Sequence, residues 1–262
     1  MVNNKEIEKL IVDSLFINEK RLNSTPLDIA DIRGWISPIR DGWANRISFT
    51  GSICKDETIQ AVIDFFAKRK CAFAWILRPQ DIHSGLSEKL LSHGIEPSYF
   101  PEVSGVYLET DGIGEMKNSN ITICNVTDEN LESYLDMISR AYGKNTDTFV
   151  RYFNIVPEAE RAAVMKYYIA YTADSEDPVG YAKTGYLQNG EVSLLMGAAV
   201  LEEYRGQGVY SELLRYRIQQ GINDGIHHFI SQASRNTSYN TFKRFGFKDI
   251  CDLQIYGWSP AQ

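Results

Sequence analysis

From residue 121 onward the apolar residues change period in a regular order. Ile121 to Cys124 reads as a short strand. Asp128 then caps a helix whose apolar stripe, Leu131, Tyr134, Leu135, Ile138 and Ala141, recurs at three- and four-residue spacing and stops at Gly143. A weaker helical stretch covers Thr146 to Phe153. Three strand-like runs follow, Tyr167 to Thr172, Val179 to Leu187 and Val192 to Val200, separated by ADSEDP and QNG, and the Asn189-Gly190 pair suits a tight hairpin. After Arg205-Gly206-Gln207-Gly208 a helix runs to about Gly221. A strand at His228 to Gln232, a helix ending at Phe245-Gly246 and a last strand, Phe247 to Trp258, complete the order β α α β β β α β α β.

Upstream the same reading gives β α β α β: a strand at Arg46 to Ile53, a helix at Glu57 to Lys68, a strand at Ala72 to Leu77, a helix around Leu86 to Leu91 and a strand at Val103 to Glu109. This parallels the last five elements downstream, as a diverged tandem duplication would. The first forty residues look helical. Gly, Asn, Ser and charge interrupt both periods at Thr110 to Asn120, which places a linker there and domains at 1–112 and 119–262. The length of 262 residues agrees with about two domains.

Composition narrows the class. With 44% hydrophobic and 23% charged residues the chain is globular rather than disordered or low-complexity. The 27 basic and 34 acidic side chains leave a net charge of −7, which excludes a nonspecific nucleic-acid binder and favours small cationic partners such as amines. Cys54, Cys71, Cys124 and Cys251 stand far apart with no CxxC pair, and His227-His228 lacks ligand spacing to His83 or His93, so no metal is expected and a reducing cytoplasm is the simplest setting. No export signal or membrane anchor is readable. Trp35, Trp43 and Trp75 read as core, with a substrate groove as the other reading.

The chemistry is carried by Ala198 to Leu214, where a strand passes through an acidic turn into a two-glycine loop that opens a helix. The first amides of a helix lack intrahelical partners and carry the positive end of its dipole, so such a loop suits a phosphate. Gly206 and Gly208 let the backbone approach the anion, and Arg205 adds a charge-assisted contact or braces the loop. The alternative is a strand-to-helix turn that binds nothing. A dinucleotide loop is excluded because Ser211 stands where a third glycine is needed, and a P-loop because no Gly-Lys-Ser/Thr triplet follows.

At these residues the sequence resembles the GNAT superfamily of acyl-CoA-dependent N-acetyltransferases. The family's Arg/Gln-x-x-Gly-x-Gly/Ala is matched by Arg205 to Tyr210 except at Tyr210, with Leu213, Leu214, Arg215 and Arg217 as a continuation. Its second signature resembles Phe242-Lys243-Arg244-Phe245-Gly246-Phe247, preceded by Gln232 to Arg235 and Thr237-Ser238. The N-terminal half resembles a degenerate partner domain without the phosphate loop, and Asp56 and Glu57 at its corresponding helix start would repel a diphosphate.

The resemblance implies two tandem α/β (α+β) domains, each a mixed, mostly antiparallel sheet flanked by helices, and one acetyl-CoA site in the C-terminal domain. It implies that the fourth and fifth strands splay and that the pantetheine arm lies along Ala198, Ala199 and Val200, where a backbone amide near Ala199 or Val200 stabilises the oxyanion. The pyrophosphate would lie on Arg205, Gly206, Gln207, Gly208, Val209, Tyr210 and Ser211, with Ser238 and Phe242 also near the cofactor. By analogy Glu191 is the carboxylate that takes the amine's proton. Phe242 stands where many members carry the tyrosine that protonates the leaving thiolate. Tyr239, near the same helical face, is the substitute, with core packing and water as alternatives. Ser238 has helix capping as its other reading. The expected partner is a small-molecule or peptide amine, and the expected assembly a monomer or homodimer. A catalytically silent acyl-CoA-binding or protein-interaction module is the rival from another class.

Overall fold

The computed structural model describes residues 3–17, 22–115, 120–156 and 165–260. Positions 116–119 of the linker segment lie outside them. The chain divides into two compact units, 1–106 with 232–262, and 107–231. These units do not follow the two sequence halves, because the C-terminal strand packs with the N-terminal elements.

The first unit contains α1 (Asn4–Ser14), β1 (Thr25–Pro26), β2 (Ile32–Ile36), β3 (Arg46–Phe49), α2 (Asp56–Ala67), β4 (Phe73–Leu77), α3 (Leu86–Ser92) and the first part of β5 (Glu96–Glu109). It also takes the end of β10 (His228–Ser234), α7 (Tyr239–Arg244) and β11 (Lys248–Trp258). Its strand order is β1-β2-β3-β4-β11-β5. β11 runs antiparallel to β4, from Gln254 opposite Leu77 to Trp258 opposite Phe73, and β3 runs parallel to β4. The core lies between this sheet and α2, where Ile59, Val62 and Phe66 line the inner face. Phe66 meets Phe73 at 4.9 Å and Phe73 stacks on Trp258 at 5.4 Å. Trp35 and Trp75 are fully buried, as core residues.

Among the described residues the helical expectation for the first forty positions holds only for α1. Asn3 and Glu6 close a reciprocal capping box there, each side chain accepting from the other's amide, and Ile7 and Ile11 face inward. Beyond it β1 and β2 form an antiparallel pair, which reverses through a tight turn with Asp31 at φ 62°. The sequence hides these strands because β1 has only two residues.

The second unit contains β6 (Ile121–Asn125), α4 (Leu131–Tyr142), α5 (Thr146–Ile155), β7 (Met165–Thr172), β8 (Gly180–Leu187), β9 (Val192–Val200), α6 (Val209–Asn223) and the first part of β10, in the strand order β10-β9-β8-β7-β6. Every neighbouring pair is antiparallel except β9 with β10. The cap of α4 is Asn130 rather than Asp128, since the chain turns into the helix two residues later, and Asn130 Oδ1 accepts from the Thr127 amide. Gly143 ends the helix at φ 59°. α6 packs on one face of the sheet, where Val209 and Leu213 join Tyr168, Ala170, Ala182 and Val200. Tyr134 of α4 meets Tyr167 and Tyr181 edge-on at 5.7 and 5.9 Å, and these belong to the other face because side chains alternate along a strand. No helix among the described residues is long and apolar enough to cross a membrane.

Candidate active site

β9 is regular only in its first half. It pairs with β10 from His228 opposite Val192 to Ile230 opposite Leu194, and among the described residues no register pair continues past that point. Ser231 closes the ladder, its Oγ donating to the Leu195 carbonyl at 2.6 Å. On the other side Ala182 faces Ala198 while Lys183 faces Met196, so Gly197 is an inserted residue. It sits at φ 46°, and a Cβ there would collide with Lys183 Cε. Both departures leave Met196, Gly197, Ala198 and Ala199 half-buried after a fully buried run.

Behind this bulge lies Arg217, 1% exposed, whose Nη1 donates to the Lys183 carbonyl at 3.3 Å and Nε to Leu213 at 3.2 Å. Burial lowers its pKa from the ordinary arginine value. The sequence reading used Arg217 only as a continuation of the loop pattern. Its contact with the irregular register is visible only once the strand pairing is known.

From Val200 the chain passes through a single turn, Glu202–Tyr204, into the exposed Arg205 to Gly208. Arg205 Nε donates to the Val200 carbonyl at 3.2 Å and Gln207 Nε2 to the Glu203 carbonyl at 3.2 Å, so both long side chains brace the loop from within. Gly206 and Gly208 sit at φ 77° and 90°, a region that favours glycine. Gly208 is the N-cap of the fifteen-residue α6 and has no side chain with which to cap it. Glu212 is the first residue to donate back, to the Gly208 carbonyl. The amides of Val209, Tyr210 and Ser211 therefore stand at the positive end of a long dipole. Glu212 itself is buried and ion-paired with Arg215 at 3.4 Å.

The structure gathers Ala198 to Ser211 on one end of the second unit's sheet. Glu191, in the same unit, does not join them. Glu191 is exposed in the β8–β9 turn, eight residues before Ala199, a separation of about 25 Å along an extended strand. That turn is a 3₁₀ turn with left-handed Gln188 and Asn189 rather than a two-residue hairpin. Ser238, Tyr239 and Phe242 belong to the first unit. Ser238 is the α7 N-cap without making a side-chain cap bond. The Tyr239 hydroxyl donates to Asp249 Oδ2 at 2.9 Å, where Lys243 Nζ also bonds at 3.0 Å. Phe242 is 2% exposed and packs edge-on against Phe247 at 4.9 Å.

A mixed α/β sheet whose β9–β10 ladder ends early thus stands beside a glycine-capped helix start. The sequence profile described as the Acetyltransferase (GNAT) family matches residues 131–247. The match spans just under half of the chain. The fold is similar to that of a GCN5-related N-acetyltransferase from Kribbella flavida, at 15% identity over 98% of this chain and 96% of that one, with a TM-score of 0.66. A functionally unknown conserved protein from Staphylococcus epidermidis matches at 15% identity over 93% and 97%, TM-score 0.66. A tandem GNAT protein from the clavulanic acid biosynthesis pathway matches at 13% identity over 88% and 79%, TM-score 0.53. No match emerged among curated protein sequences. Among the described residues no group of three or more His, Cys, Asp or Glu side chains is placed to hold a metal ion.

Proposed function

We propose that the chain is an acetyl-CoA-dependent N-acetyltransferase acting on a primary amine, with one acetyl-CoA site per chain. The observation that carries this reading is the conjunction, within the residues that match the GNAT family, of a β9 end that is bulged toward β8 and unpaired toward β10 with the uncapped α6 start. The amides of Val209 to Ser211 would hold the pyrophosphate, and the β9 backbone from Met196 to Val200 would receive the pantetheine amides as an added strand would. The amine nitrogen attacks the thioester carbonyl directly, and a β9 amide near Ala199 stabilises the charge that develops on oxygen. The N-terminal half is the degenerate member of a tandem pair, because α2 begins with Asp56 and Glu57 and carries no glycine loop.

A specific observation also supports the rival. Glu191 lies a strand length away and the Tyr239 hydroxyl is committed to Asp249, which is what an acyl-CoA-binding module without transfer would tolerate. The two readings separate in one experiment: titration with acetyl-CoA and desulfo-CoA, then thiol release with a mixed amine panel. Binding with amine-dependent release establishes transfer. Binding without release supports the silent module, and absence of binding overturns the assignment of Arg205 to Ser211.

A further inference from the structure

The proposed reaction needs an O–H near the β9 end, because a departing thiolate is stabilised by proton donation. Phe242 has none and Tyr239 has spent its own. The second unit offers another. Tyr181 on β8 is the register partner of Ala199, and directly paired side chains point to the same face with Cβ atoms about 5 Å apart. Over that face lies the last turn of α4, whose Tyr142 ring meets Tyr181 at 6.0 Å.

The two hydroxyls are 2.6 Å apart, and Tyr181 donates to Tyr142. The Tyr181 proton is thus consumed within the pair. The Tyr142 proton is left over, and among the described residues no acceptor takes it. Exposure divides the two in the same sense: Tyr181 is 2% exposed and Tyr142 37%. Tyr142 is held in place by Phe149, stacked at 6.4 Å. Burial pushes both phenols above the usual tyrosine range, so each keeps its proton at neutral pH. A buried tyrosine that holds the hydroxyl of a partly exposed one, and leaves one O–H of the pair without an acceptor among the described residues, is the arrangement expected of a proton donor rather than of core packing, where both hydroxyls would be satisfied internally.

We propose that Tyr142 donates its proton to the sulfur released from the thioester, and that Tyr181 is the positioning residue that aims it. The proposal rests on the acetyltransferase reading above. In the step, the amine nitrogen bonds to the carbonyl carbon and the carbon–sulfur bond breaks with its electron pair on sulfur. Sulfur takes the Tyr142 proton, and the phenolate recovers the proton that nitrogen releases, through water. No further reactant is needed. The sequence could not show the pair, since its members are 39 residues apart.

The test uses the full chain and reads sulfur recognition separately from CoA binding. Wild type, Tyr142→Phe and Tyr181→Phe are titrated with CoA and with desulfo-CoA, which lacks the sulfur. Wild type is expected to bind CoA about three- to tenfold more tightly, the span of one hydrogen bond. Tyr142→Phe should lose that preference while holding desulfo-CoA unchanged, and Tyr181→Phe should lose part of it. With an amine that wild type acetylates, Tyr142→Phe should lower kcat about 100-fold with the KM for acetyl-CoA within twofold. Equal wild-type affinity for the two ligands, or an equal loss of both in Tyr142→Phe, overturns the proposal and leaves the CoA site standing. Failure of wild type to bind either overturns the acetyltransferase reading and this inference with it.

Discussion

The starts of α2 and α6 are similar in place and opposite in chemistry. Each follows a strand and a short connection, and neither has a side-chain cap. At α2 the first turn supplies its own anions, Asp56 and Glu57, and Lys89 Nζ donates to the Cys54 carbonyl just upstream at 2.8 Å. At α6 the cap is a glycine, the preceding residues are Arg205 to Gln207, and the first-turn acid, Glu212, is turned inward onto Arg215. A helix start completes its electrostatics either with its own carboxylates or with a ligand's. The contrast gives a physical reason for proposing one CoA site in a chain with two such junctions.

The harshest way to break the contrast is to make α6 resemble α2. Gly208→Glu places a carboxylate where the pyrophosphate is expected, at φ 90°, and should reduce acetyl-CoA affinity on the order of 100-fold by calorimetry. Next comes Gly197→Ala. The left-handed backbone and the Lys183 stem oppose the methyl group, so the variant should lose about 1–2 kcal/mol in denaturant unfolding and lower kcat more than it raises KM. Unchanged kcat would remove the bulge from the account. Arg205→Ala deletes one brace on the Val200 carbonyl and should weaken acetyl-CoA binding about three- to tenfold, with stability changed by under about 1.5 kcal/mol.

Two smaller effects sharpen the comparison from its other side. The double variant Asp56→Asn, Glu57→Gln should cost roughly 0.5–2 kcal/mol in thermal unfolding and create no second CoA site. Glu191→Gln, on an exposed turn remote from Ala199, should keep kcat within about twofold of wild type, as exposed positions away from a site do. A loss of 100-fold there would return the base to the hairpin.

The α6 junction was legible because its signal is local: two glycines that adopt φ 77° and 90°, an arginine before them and a helix after them that buries Val209, Leu213, Leu214 and Ile218. The order of elements from Arg46 onward was legible for the same reason, through period alone. The Gly197 bulge was not, because an inserted residue is defined by its partner strand, and nothing in VSLLMGAAV says that Lys183 will face Met196. Helical spacing placed Tyr239 near the face of Phe242, yet could not foresee that Asp249, ten residues on, would take its hydroxyl. The assignment of β11 to the first unit was hidden likewise, since an alternating strand does not name the strand it will join.

The most direct test of the central claim is calorimetric titration of the full chain with acetyl-CoA, in parallel with Gly208→Glu. The account predicts one molecule bound per wild-type chain and binding abolished or weakened about 100-fold in the variant. Two molecules per chain, or unchanged affinity in a folded Gly208→Glu protein, would contradict it.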